Sequence, residues 1–176
     1  MILIMPLPQM LATIMMAMAH SASHQLLEAL VTAVSRLQPD IIIHLGDCWA
    51  DAEQLHRKFP MTIMEQVPGN CDCRQDIPER ILLIEGKKIL ICHGHTFNVK
   101  AGYLNLEYAA EERKVDAALF GHTHRVFYDK HNRIAYMNPG SIGQPPYGIP
   151  PSYGILQVDG SSNTIATDVI YLEENN

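Results

Sequence analysis

The stretch Ile41-Ile42-Ile43-His44-Leu45-Gly46-Asp47 sets the fold class of this chain. Three consecutive β-branched apolar residues show no polar alternation. That is the pattern of a strand covered on both faces, as in sheets flanked by helices. The run then reaches a Gly followed by a carboxylate. Gly lets the backbone turn sharply and lets another group approach closely. Asp47 therefore stands at the carboxyl end of a buried strand, where open α/β sheets gather their sites.

Upstream, Leu26, Leu27, Leu30, Val31, Val34 and Leu37 follow helical spacing. Ser21 or Ser23 can cap that helix and Pro39 stops it. Downstream, the pattern predicts a helix over Asp51 to Lys58 and a strand over Met61 to Gln66 that leads into Pro68-Gly69-Asn70. The stretch from Ile81 to His95 reads as a hairpin turning at Glu85-Gly86-Lys87. A helix over Asn105 to Lys114 precedes strands at Ala117 to Phe120 and Ile134 to Met137. Two late strands, Tyr153 to Val158 and Thr164 to Leu172, follow. Helices and strands alternate early and strands dominate late, which predicts an α/β layered sandwich.

The chain has 176 residues, a length expected to form one domain, 1–176, with a sizeable core. Its net charge of −6 repels phosphate backbones, so nucleic acid is not the expected partner. Cys48, Cys71, Cys73 and Cys92 are too few for a disulfide framework in a chain this long. Reduced thiols and a cytoplasmic location are expected. Cys71 and Cys73 could clamp a soft metal, but packing beside a site is the better reading.

Residues 1–20 are atypical. Met1 to Ala19 carries no charge and is rich in Met, yet Pro6 and Pro8 interrupt it and no Lys or Arg precedes it. No membrane role is expected from it. It reads as a short apolar strand at Met1 to Met5 followed by an irregular connection.

Four motifs each follow a predicted strand: His44-Leu45-Gly46-Asp47-Cys48, Pro68-Gly69-Asn70-Cys71-Asp72, Cys92-His93-Gly94-His95 and Phe120-Gly121-His122-Thr123-His124. Singly, each has an ordinary explanation. Asp47 could cap the next helix, Asn70 could be a turn residue, and His93 with His95 could be a surface pair. Together they place a carboxylate, an amide and imidazoles at one end of a sheet. That donor set suits Mn, Fe, Zn or Ni better than Mg or Ca. A carboxylate such as Asp47 has two oxygens and can bridge two ions.

These motifs, in this order and followed by Asn138-Pro139-Gly140-Ser141, resemble the calcineurin-like metallophosphoesterases, and more narrowly the small YfcE-type phosphodiesterases. The resemblance runs from about Asp40 to the C-terminus. It implies a four-layer α-β-β-α sandwich of two mixed sheets and a dinuclear metal centre that hydrolyses small phosphodiesters. Carried over, Asp47 bridges the metals, Asn70, His93 and His122 complete one shell, and His124 serves the other. His95 is the residue expected near the substrate phosphate, and the Asn138 turn is a structural signature. Manganese is the expected metal, and self-association is left open.

The resemblance also implies an Asp-x-His-Gly motif after the first strand, and this chain departs from it. No Asp occurs before Asp40. Only His20 and His24 could ligate in that region, so one metal site is expected to be complete and the other depleted. The codons of Met15 to Ala19, read in a shifted frame, give Asp-Gly-X-Gly with X one of His, Asp, Asn or Tyr, a set that includes the missing motif. The same family includes a retromer subunit that keeps the fold as a protein-interaction platform. A weakly active or inactive scaffold is therefore the alternative expectation.

Overall fold

The computed structural model describes residues 2–4, 11–18, 24–73 and 76–172. The described chain runs β1 (Ile2–Ile4), β2 (Leu11–Ala17), α1 (His24–Leu37), β3 (Ile41–His44), α2 (Trp49–Lys58), β4 (Ile63–Gln66), β5 (Glu79–Ile84), β6 (Lys87–Cys92) and α3 (Leu104–Arg113). It continues through β7 (Ala117–Leu119), β8 (Val126–His131), β9 (Ile134–Pro139), β10 (Ser152–Asp159) and β11 (Thr164–Tyr171). One sheet has the order β1-β5-β6-β7-β9-β8 and the other β11-β10-β2-β3-β4. Both mix parallel and antiparallel pairs.

Three apolar layers explain the four-layer sandwich. Side chains alternate across a strand, so β2 sends Ala12, Ile14 and Met16 one way and Met15 and Ala17 the other. The first set meets Ile41 and Ile43 of β3 and Leu82, Ile89 and Leu119 of the other sheet, which forms the core between the sheets. The second set meets Ile42 with Leu30, Ala33 and Val34 of α1 and Leu55 of α2. On the far side, Leu106 and Ala110 of α3 pack against Leu90, Ala118 and Tyr136. Each large apolar side chain so buried contributes roughly 1.5–3 kcal/mol.

The expected four-layer architecture is the one observed, with differences at element level. The segment expected to connect irregularly up to Ala19 instead holds β2, a central strand. It is parallel to β3 through Ile14↔Ile41 and antiparallel to β10 through Leu156↔Ile14. Met is not a strong strand former, but hydrogen bonds from both neighbours and burial on both faces override that preference. A second strand not anticipated, β8, carries Asp129, Lys130 and His131 and pairs along the edge with β9. Polar content hid it from an apolar pattern. The strand expected from Met61 begins at Ile63, and Met61 itself is exposed.

Parallel strands β2, β3 and β4 in one sheet, and β6, β7 and β9 in the other, bring their carboxyl ends to the same region. The segments after these strands build the site.

Candidate metal centre

Asp47 lies three residues past β3 and His93 one residue past β6. Both are buried, at 2% and 0% exposure. His122 follows β7 and is half-buried. A ligand atom from each of the three lies within 4.8 Å of the others, close enough for one cation to touch all three. The rings of His93 and His122 meet edge to face with centroids 4.8 Å apart.

The loops are held by a network that also tests the simpler explanations. Asp47 does not cap α2. Its Oδ1 accepts the Cys71 N–H at 3.0 Å, and its Oδ2 lies 3.1 Å from His93 Nε2. The first N–H of α2, on Trp49, goes instead to Asp72 Oδ1 at 2.8 Å, and Gly69 N–H goes to Asp72 Oδ2 at 2.8 Å. Asp72 thereby ties the β4 loop to the β3 loop and leaves Asp47 directed at the histidines. Gly is required twice here. Gly46 has φ +93°, and a Cβ on it would meet Gly69 N at 2.7 Å and His93 Cδ2 at 2.8 Å. A Cβ on Gly69 would collide with the Asp47 carboxylate.

Asp47, His122 and His124 all adopt positive φ, at 58°, 67° and 59°. Non-glycine residues in this region carry backbone strain and cluster at functional sites. Asn138, at the end of β9, holds the β7 loop in that shape. Its Nδ2 donates to Gly121 O at 2.7 Å and Thr123 Oγ1 at 3.1 Å, and its Oδ1 accepts the Gly140 N–H at 3.0 Å. The structural role expected for this turn is the one it has.

Burial, then the neighbouring His93, lowers the His122 pKa to about 4. Its imidazole is therefore neutral near pH 7 and carries a lone pair for a cation. His95 is half-buried, and its Nδ1 lies 2.9 Å from His93 Nδ1. Burial lowers its pKa as well, with His93 the next cause. His93 and His95 are thus not a surface pair, because His93 is enclosed and links His95 to Asp47.

The remaining expected residues sit around this centre. Asn70 is exposed, directly after Gly69, with its Nδ2 3.4 Å from Cys71 Sγ. His124 lies outside the three-residue cluster, and its Nδ1 bonds Gln144 O at 2.8 Å. Such an anchor fixes the orientation of the ring. His20 lies outside the described residues, as does the side chain of His24. Cys71 and Cys73 are free and exposed.

Two contributors had no signal in the sequence. Asp72 looked like part of a ligand motif and acts as a loop tie. Met18, the residue after β2, is fully buried, and its Sδ accepts the His122 N–H at 3.0 Å.

Comparison with known proteins places this arrangement. Residues 14–161 match the family model described as the calcineurin-like phosphoesterase superfamily domain. The chain is 36% identical to "Probable metallophosphoesterase YsnB" of Bacillus subtilis, over 82% of this chain and 85% of that protein. It is 29% identical to "Phosphodiesterase YfcE" of Escherichia coli, over 68% of this chain and 53% of that protein. Among solved structures, a conserved Streptococcus pneumoniae protein described as a predicted phosphoesterase superposes with TM-score 0.74 and 25% identity, covering 92% of this chain and 90% of its own. Vps29 of Entamoeba histolytica, in complex with zinc, superposes with TM-score 0.68 at 17% identity, covering 90% of this chain and 98% of its own, a likeness of fold alone.

Proposed function

We propose, for a chain that belongs to the calcineurin-like phosphoesterase superfamily, that it is a metal-dependent phosphodiesterase acting on small phosphodiesters. The observation that carries this reading is the convergence of Asp47, His93 and His122 at three strand ends. One carboxylate and two imidazoles fit a single divalent cation of the Mn, Fe, Ni or Zn type. Manganese is the metal we propose, with Asn70 completing that shell and His124 directed to the neighbouring position. A cation held there would supply Lewis-acid stabilisation of charge on a phosphoryl oxygen.

The chain's own groups do the rest. His93 turns Nε2 toward Asp47 Oδ2 at 3.1 Å, so Nε2 is the nitrogen that would be offered to a cation held by both residues. His93 Nδ1 and His95 Nδ1, 2.9 Å apart, share one proton between the two rings. That pairing engages His95 Nδ1 and leaves Nε2 as the His95 nitrogen open to a substrate oxygen. His95 is the catalytic residue we propose. The half-buried rings of His95 and His122 stand with centroids 6.1 Å apart at the mouth of the buried Asp47–His93 pair, and support a phosphate seated over them. The reading takes residues 1–176 as one cytoplasmic domain with no nucleic-acid partner.

The test is manganese-dependent hydrolysis of bis(4-nitrophenyl) phosphate by chelator-stripped protein. Turnover should return with manganese and be lost in His93→Ala together with metal uptake. Metal uptake without any hydrolysis would favour the second reading, a protein-binding scaffold of the same fold. Met18 beside His122, where a donor side chain would strengthen the site, is the observation on that side.

A further inference from the structure

We propose that Met18 makes this a one-cation centre. The inference rests on the metal site described above and assigns its capacity. Four strand ends converge there. β3, β6 and β7 deliver Asp47, His93 and His122, an oxygen donor and two nitrogen donors. β2 delivers Met18.

The position of Met18 is fixed from several sides. Ile142 N–H donates to Met18 O at 2.9 Å, and the preceding Ala17 O accepts Leu45 N–H at 3.0 Å. The side chain is fully buried. Its sulfur lies 3.0 Å from His122 N and occupies the space into which a Cβ on Gly121 would project, 2.6 Å from the sulfur. The thioether therefore packs against the backbone of the loop whose side chain joins the metal cluster.

A thioether is neutral, soft and a weak acceptor. It suits Cu(I), not the hard or borderline cations that a carboxylate and imidazoles select. A second divalent ion sharing Asp47 would stand about 3.5–4 Å from the first. Two dications so close need anionic or imidazole donors on the β2 side to offset their repulsion. Met18 contributes neither. Among the described residues, Asp47, His93 and His122 form the one cluster of three or more such donors. Among the described residues, the donor set fits one cation and does not fit two.

Cation counting tests this without reference to turnover. Chelator-stripped protein is titrated with manganese and the bound metal counted, with Mn(II) electron paramagnetic resonance as the second readout. The protein should take one ion per chain and give the spectrum of an isolated Mn(II). Met18→Asp places a carboxylate where the sulfur accepts the His122 N–H, and it should raise the count to two and produce an exchange-coupled spectrum. Met18→Leu keeps the buried apolar volume and should stay at one. Two ions in the unaltered protein would overturn the inference, whether or not Met18→Asp folds. A folded Met18→Asp that stays at one, or loss of the ion in Met18→Leu, would overturn it too. If the unaltered protein takes none, the metal site itself is wrong and the reading beneath the inference fails with it.

Discussion

His122 and His124 are two residues apart and identical in chemistry, yet their surroundings give them different work. His122 shares a cluster with Asp47 and His93, and burial keeps it neutral. His124 stands outside that cluster with one nitrogen on Gln144 O. Removing one of three converging donors weakens a shell whose members hold the ion together. His122→Ala should weaken manganese binding at least roughly tenfold more than His124→Ala. Calorimetric titration of both variants checks this, and equal losses would show the shells wrongly assigned. His44 gives a separate prediction about stability. It is buried, its Nδ1 accepts Gly46 N–H at 3.3 Å, and among the described residues no partner reaches its Nε2. Burial lowers its pKa from 6.5 to about 4, against the opposing pull of Asp72 and Asp51. Between those values the unfolded chain binds the proton and the folded chain does not. Stability contributed by neutral His44 is therefore full above pH 6.5 and falls as pH drops toward 4. The loss over that window is on the order of 3 kcal/mol. Urea midpoints at pH 7 and 4.5 should differ less in His44→Phe than in the unaltered protein.

At the scale of elements, the site depends on loops locked to one another more than on the strands that carry them. Asn138 joins β9 to the β7 loop through Gly121 O and Thr123 Oγ1, and turns its own backbone through Gly140 N. It is fully buried, and its loss removes all three bonds, leaving Gly121 O to the Thr123 N–H and Thr123 Oγ1 to Arg125. Asn138→Leu should destabilise the fold by about 1–3 kcal/mol. It should also release the positive φ of His122 and His124. Metal affinity should then fall by roughly ten- to a hundredfold although no proposed ligand has changed. Chemical denaturation and manganese titration measure the two effects separately. A variant that loses stability but keeps its metal affinity would show that the loop holds its shape without Asn138.

At the scale of the whole molecule, two sheets packed on a shared core carry the site at one end. Its between-sheet core runs from β2 through β3 and across to β6 and β7, so these strand ends are fixed relative to one another. With Met18 in the β2 position, the proposed enzyme works with one cation firmly held. A missing Lewis acid removes several kcal/mol of transition-state stabilisation, and each ~1.4 kcal/mol is tenfold in rate. Hydrolysis of bis(4-nitrophenyl) phosphate should run at least about a hundredfold below a relative with the complete Asp-x-His-Gly motif at the same manganese concentration. Comparable rates would show that the missing motif does not limit catalysis. If His20 or His24 supplies a substitute donor at high metal, the His20→Ala, His24→Ala pair should remove what activity remains.

The sequence by itself determined the buried strand Ile41–His44, the order of the motif loops and the layered class. Each is a local matter: apolar runs mark strands covered on both faces, and Gly marks where the backbone must turn. It also named Asp47, His93 and His122, because their residue types and strand-end positions are written in the chain. Only the tertiary structure decided that Leu11–Ala17 is a central strand, since that depends on hydrogen bonds offered by β3 and β10. The roles of Asp72 and Met18 were decided there as well. A side chain twenty-three residues away in the chain caps α2, and another, 104 residues from its partner, puts sulfur against His122. Such contacts have no period and no motif, because they exist only once the two sheets have closed on each other.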